Sequence, residues 1–200
     1  MFGRKAEEQE FTAEQEFAEE DKKKSPLQEL LGMLLYMGIV LAATFFIITF
    51  VGQRTHVSGE SMENTLADGD QLIVDKLTYR FRDPERFDII VFPFQYKENT
   101  YYIKRIIGLP GETIQIEDGD IYIDGRILKE SYGREVMKDA GIAADPITLG
   151  EDEYFVLGDN RNRSSDSRDP SVAMIHRKDI VGRAWLRIWP LDSFGVLEHQ

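Results

Sequence analysis

The chain contains no cysteine. That absence excludes a disulfide scaffold, a cysteine-ligated zinc or iron–sulfur site and a thiol nucleophile, while leaving the redox compartment open. Histidine is nearly as scarce. His56, His176 and His199 are scattered, and no His-Glu-x-x-His pair opens a zinc-protease site. A Ser-His-Asp triad on His56 or His176 is the less favoured arrangement, since a lone histidine is more often a surface or packing residue. Gly-x-Ser-x-Gly is missing because Gly59-Glu60-Ser61-Met62-Glu63 lacks its last glycine, and no serine opens a Ser-x-x-Lys run. Basic charge is in deficit. The 24 Lys and Arg face 36 Asp and Glu, for a formal net charge of −12, and the only basic run is Lys22-Lys23-Lys24. A partner bound by phosphate neutralisation, and so nucleic acid, is not expected.

What is present divides into three unlike segments. Residues 1–25 form an acidic head, with Phe11 and Phe17 as its only aromatics, too poor in apolar surface to offset chain entropy. Disorder is expected there. Ser25-Pro26-Leu27-Gln28 then reads as a helix start: a capping serine, a proline suited to the first helical position and a glutamine that completes a capping box. From Leu30 to Gln53, 24 residues pass without Asp, Glu, Lys, Arg or His, more than the ~20 that span a bilayer core. No polar stripe interrupts them, which favours a transmembrane helix over residues 26–53 rather than a buried core helix. The run is also too long for a cleaved secretory signal. Since Lys22, Lys23 and Lys24 precede the run and only Arg54 follows it closely, the amino terminus is expected in the cytoplasm and residues 54–200 outside.

The remaining 147 residues carry 19 basic and 27 acidic side chains, a net charge of −8, and suffice for one domain. Their pattern is β. Ile114 and Ile116 alternate with polar residues, Asp118-Gly119 turns, Ile121 and Ile123 alternate again, and Asp124-Gly125 turns once more. Residues 71–76, 88–92, 101–107, 153–157 and 180–188 carry enough β-branched and aromatic side chains to be strands. Residues 132–150, with Gly133, Gly141, Pro146 and Gly150, read as a surface loop with one short helical turn. The expected fold is mainly β, an antiparallel multi-stranded domain of sheets or barrel behind a single amino-terminal transmembrane helix.

Three blocks stand out: Ser58-Gly59-Glu60-Ser61-Met62-Glu63-Asn64-Thr65-Leu66, Tyr101-Tyr102-Ile103-Lys104-Arg105-Ile106-Ile107-Gly108-Leu109-Pro110-Gly111-Glu112, and Gly158-Asp159-Asn160-Arg161-Asn162-Arg163-Ser164-Ser165-Asp166-Ser167-Arg168. With Gly69-Asp70-Gln71-Leu72-Ile73-Val74-Asp75-Lys76 between the first two, they resemble the bacterial type I signal peptidases over about residues 25–190. The resemblance implies a membrane-bound serine endopeptidase that removes signal peptides from secretory preproteins after small residues in an Ala-x-Ala pattern. It implies Ser61 as nucleophile and Lys104 as general base, with no cofactor and no metal. A serine hydroxyl needs a positioned base, and a lysine serves only when neutral, which desolvation among apolar neighbours achieves. Tyr102, Ile103, Ile106 and Ile107 are the neighbours expected to do so.

The same resemblance gives Gly59 and the Ser61 amide to the backbone of the oxyanion site, leaving the second donor open, with Ser58 a less favoured candidate. It puts Ser164 near the lysine amine and pairs Asp166 with Arg168 and Arg105. Read from composition alone, the same block is an Asp-, Asn- and Ser-rich surface loop in which Asp159, Asn160 and Arg161 are expected to brace a turn rather than touch substrate. Val57, Tyr102 and Ile103 are the expected pocket walls. The family's usual proline three residues after the nucleophile is Asn64 here, a residue that tolerates left-handed backbone angles. Ser61 follows Gln53 by eight residues, about 26–29 Å of extended chain, so the reaction is expected beside the plasma membrane, with membrane lipid, preproteins and the secretion machinery as partners. Alternatives are a Ser-Lys protease with another substrate, a structural envelope protein, and a catalytically silent membrane-anchored β-domain that binds exported proteins.

Overall fold

The computed structural model describes residues 25–47, 51–133 and 135–197. The chain divides between Phe46 and Ile47 into two units. In the first, helix α1 (Pro26–Phe46) starts with the expected reciprocal cap: the Gln28 amide donates to Ser25 Oγ at 3.3 Å and the Ser25 amide donates to Gln28 Oε1 at 3.1 Å. Its 21 residues extend about 31 Å at 1.5 Å per residue, and none is buried. The helix is long and apolar enough to cross a membrane. Residues 48–50 of the span expected over 26–53 fall outside the described residues. Gly52 and Gln53, at the end of the uncharged run, lie instead in a strand opposite Asp75 and Val74, where a sheet partner takes their backbone groups. Apart from Ser25, the acidic head falls outside the described residues.

Among the described residues the second unit holds twelve strands: β1 (Gly52–His56), β2 (Gln71–Asp75), β3 (Ile89–Pro93), β4 (Tyr101–Gly108), β5 (Thr113–Glu117), β6 (Asp120–Ile123), β7 (Arg126–Ile127), β8 (Ile147–Thr148), β9 (Glu153–Leu157), β10 (Ile175–His176), β11 (Gly182–Trp189) and β12 (Gly195–Val196). All pairings are antiparallel. The larger sheet runs β1-β2-β11-β3-β4-β9-β10 with β12 on β11, and the smaller runs β7-β6-β5-β8. In the smaller sheet Ile114 faces Ile123 and Ile116 faces Ile121. The turns joining these strands put Asp118, Gly119, Asp124 and Gly125 all at positive φ, the paired left-handed geometry of a tight type I′ hairpin.

Strand β4 contributes to three cores. Ile103 packs with Val57, Met62 and Leu66; Ile106 packs with Ile90, Phe92 and Val156; Ile107 packs with Ile114, Leu149 and Phe155. Each buried isoleucine contributes about 1.5–3 kcal/mol, so the strand that carries Lys104 is held on every side. Residues 132–150 differ from the expected surface loop. They hold the short 3₁₀ turn Gly141–Ala144, but also β8, and they bury Met137, Ala143 and Leu149 in the third core. Isolated apolar residues among charges show no period, which hid this role from the sequence.

Candidate active site

Ser61 stands on the loop between β1 and β2. Backbone bonds from the Val57 amide to the Asp70 carbonyl (2.8 Å) and from the Gly69 amide to the Val57 carbonyl (3.0 Å) close that loop at its base, and buried Met62 and Leu66 anchor it in the first core. Asn160, just beyond β9, clamps it from the other side. Its amide donates to the Ser61 carbonyl at 3.0 Å and its side-chain Nδ2 to the Glu60 carbonyl at 3.0 Å. Gly158 lets these segments meet, since a Cβ there would overlap Ser164 Oγ and the Ser61 carbonyl oxygen.

Lys104, in the middle of β4, brings its Nζ to 2.9 Å from Ser61 Oγ and donates to the Ile103 carbonyl at 3.0 Å. The residue is 4 % exposed. Burial pulls its ammonium down to about 8, against the opposing attraction of Asp166 and then Asp159. Neutral lysine is therefore accessible near physiological pH. Tyr102 supplies part of the apolar cover, its ring centroid 4.9 Å from Nζ. Of the neighbours expected to desolvate the amine, Ile103 and Ile107 do not share its strand face: alternation turns them the other way, into the first and third cores.

The Gly59 amide donates to Asp68 Oδ1 at 2.8 Å and is committed there, and Gly59 holds a φ of +98° that a residue without a side chain adopts freely. The Ser61 amide has no acceptor among the described residues and is free to meet an oxyanion. Asn64 has φ +93°, a left-handed geometry that proline, locked near −65°, cannot adopt. The turn behind Ser61 is thus built for the residue this chain has.

The supporting ion pairs also differ from expectation. Among the described residues Asp166 pairs with Arg168 alone, through bonds of 2.8 Å from Nε and 2.9 Å from Nη2, and it accepts from the Gly158 amide at 3.1 Å. Arg105 pairs with Asp159 instead, at 2.9 and 2.7 Å, and donates to Thr65 Oγ1 and the Phe87 carbonyl, with Tyr132 stacked on its guanidinium at 3.5 Å. The register explains the exchange. Arg105 lies opposite Leu157, so the chain leaving β9 delivers Asp159 to it two residues later. Both partners are fully buried, and a desolvated guanidinium with all these donors used is a rigid brace. Ser164 Oγ is buried without a hydrogen bond, to Lys104 or to any other described group. Asp159 and Asn160, expected to brace only their own turn, hold Arg105 and the Ser61 loop; their motif is visible in the sequence, whereas their partners, 54 and 99 positions away, are not.

The pair opens into a cleft of about 520 Å³. Val57, Tyr102 and Ile103 line it with Ser61, Met62 and Lys104, while Glu60, Arg163 and Ser165 make a polar border. The arrangement offers a serine oxygen, a neutral amine that can take its proton, and an unengaged amide beside both.

The model of the signal peptidase family, peptidase S26, matches residues 30–189. A probable signal peptidase I-2 from Synechocystis sp. is 38% identical over 88% of this chain and 81% of its own length. A signal peptidase I P from Bacillus subtilis subsp. natto is 38% identical over 88% of this chain and 96% of its own. A crystal structure of a signal peptidase I from Enterococcus faecalis V583 is 36% identical, with a TM-score of 0.44, and covers 51% of this chain and 97% of that chain.

Proposed function

Because this chain belongs to the signal peptidase family, peptidase S26, and is a peptide-bond hydrolase of signal-peptide processing, we propose that it cuts preproteins with a Ser61–Lys104 dyad. The observation that carries this reading is the 2.9 Å contact between Ser61 Oγ and a buried Lys104 whose ammonium is pulled down to about 8. Neutral Lys104 takes the Ser61 proton as Oγ attacks the scissile carbonyl, and the Ser61 amide donates to the oxyanion that forms. The resulting ammonium protonates the leaving amine. Water, deprotonated by the same lysine, then releases the acyl group and restores Ser61.

Val57, Tyr102 and Ile103 form a shallow apolar wall that suits small side chains before the cut, in keeping with an Ala-x-Ala pattern. Arg105, Asp159, Asp166 and Arg168 position the strands and loops around the dyad, with Ser164 packed beside them. Helix α1 is the membrane anchor, with residues 1–25 cytoplasmic and the β unit on the outer face of the plasma membrane. The test is cleavage of a preprotein with an Ala-x-Ala site by the detergent-solubilised native chain, Ser61→Ala and Lys104→Ala, with the new amino terminus sequenced. Cleavage after the small residue by the native chain alone supports the dyad. Activity retained in either folded variant rejects it.

A further inference from the structure

Arg163 borders two cavities. One is the cleft of Ser61 and Lys104; the other, of about 390 Å³, is lined by Glu135, Lys138, Asn160, Asn162 and Arg163. Resting on the function proposed above, we propose that this second cavity receives the first residues of the mature protein, those following the scissile bond, and that Glu135 and Lys138 read their charge.

A substrate whose acyl side lies along Val57 and Ile103 must leave the cleft past Ser61. The polar border there leads out: Glu60, the residue before the nucleophile, holds Arg163 Nη1 at 2.7 Å, and Arg163 is also a wall of the second cavity. Every side chain lining that cavity is polar or charged. Such walls suit the polar start of an exported protein and not the apolar core of a signal segment.

The cavity is also built rather than loose. Asn162 Nδ2 donates to Glu135 Oε2 at 3.1 Å and to the Val136 carbonyl at 3.0 Å, and its Oδ1 accepts from the Lys138 amide at 3.0 Å. One side chain thus fixes residues 135–138 against the 3₁₀ turn Arg161–Arg163. The hydrogen bond that holds Glu135 comes from a neutral amide, and the only cation acting on its carboxylate among the described residues is Arg163, whose guanidinium is hydrogen-bonded to Glu60 instead. The Lys138 ammonium meets no carboxylate at ion-pair distance among the described residues. Two opposite charges therefore face one segment, and each can be reversed without touching the dyad.

The test uses the full chain in detergent with three preproteins identical through the scissile bond and bearing two Glu, two Lys or two Gln at the second to fourth positions after it. The Glu-to-Lys ratio of kcat/KM rises about tenfold in Glu135→Lys and falls about tenfold in Lys138→Glu, while the Gln substrate is cut within about twofold of the native rate. Should either variant cut the Gln substrate poorly, Glu135→Gln and Lys138→Gln replace them, with shifts of about threefold in the same directions. Unchanged ratios with the Gln substrate cut normally overturn the cavity's role alone. A native chain that cuts none of the three overturns the peptidase reading, and this inference with it.

Discussion

Lys104, the base of the proposed dyad, carries a cost. Its folded value of about 8 lies below the 10.5 of an exposed lysine, so the unfolded chain binds the proton more tightly between those values. The penalty is fully present below about pH 8 and fades as pH rises toward 10.5. Lys104→Met should therefore abolish cleavage yet stabilise the protein at pH 7, on the order of 3 kcal/mol, with the advantage lost by pH 10.5. Denaturant unfolding at both pH values checks this. The native rate should rise with pH through about 8 as the amine loses its proton, in single-turnover assays where chemistry limits. Asn64 makes a second prediction at this scale. Asn64→Gly, which keeps φ +93° without a Cβ, should hold stability within about 1 kcal/mol. Asn64→Pro, although it restores the residue usual in the family, should cost about 3 kcal/mol and at least tenfold in kcat/KM, read from thermal unfolding and cleavage together.

Among the elements, the exit from β9 matters most, because Gly158, Asp159 and Asn160 meet the Ser61 loop, β4 and one another within three residues. Asp159→Ala leaves the buried Arg105 guanidinium without its carboxylate and should cost about 3–5 kcal/mol. Replacing both partners, as Arg105→Met with Asp159→Leu, should cost less than that single change, and a double-mutant cycle by denaturant unfolding measures the difference. Gly158→Ala should instead lower kcat about a hundredfold with a smaller loss of stability, because it pushes on the Ser61 carbonyl and Ser164. Much of this level was legible beforehand. Alternation marked β5 and β6, and Asp-Gly pairs marked their turns, because a side chain's face in a strand depends only on its neighbours. Strand β1 was hidden, since Gly52 and Gln53 end an uncharged run and only pairing with β2 makes them extended.

For the whole molecule, the absence of cysteine turns orientation into a simple measurement. With the amino terminus in the cytoplasm, Glu117→Cys on the exposed end of β5 should react with a membrane-impermeant maleimide added to intact cells, and Lys22→Cys should react only after lysis. Labelling in the opposite sense would reverse the orientation while leaving the dyad chemistry intact. The charges that bear on this orientation are Lys22, Lys23 and Lys24 before the helix and Arg54 after it.

The sequence by itself determined the elements whose signals are local: the capping box at Ser25 and Gln28, the uncharged run, the alternating strands and the Asp-Gly hairpins. It also carried the ordered motifs around Ser61, Lys104 and Asp166 that mark the family. Tertiary structure alone decided which of those residues meet. Lys104 reaches Ser61 across 43 positions, Arg105 takes Asp159 rather than Asp166, and the Gly59 amide goes to Asp68. The lowered lysine follows from burial that no run of neighbours along the chain supplies. Propensity and period act over a few residues, whereas register, desolvation and ion pairing depend on which strands lie side by side.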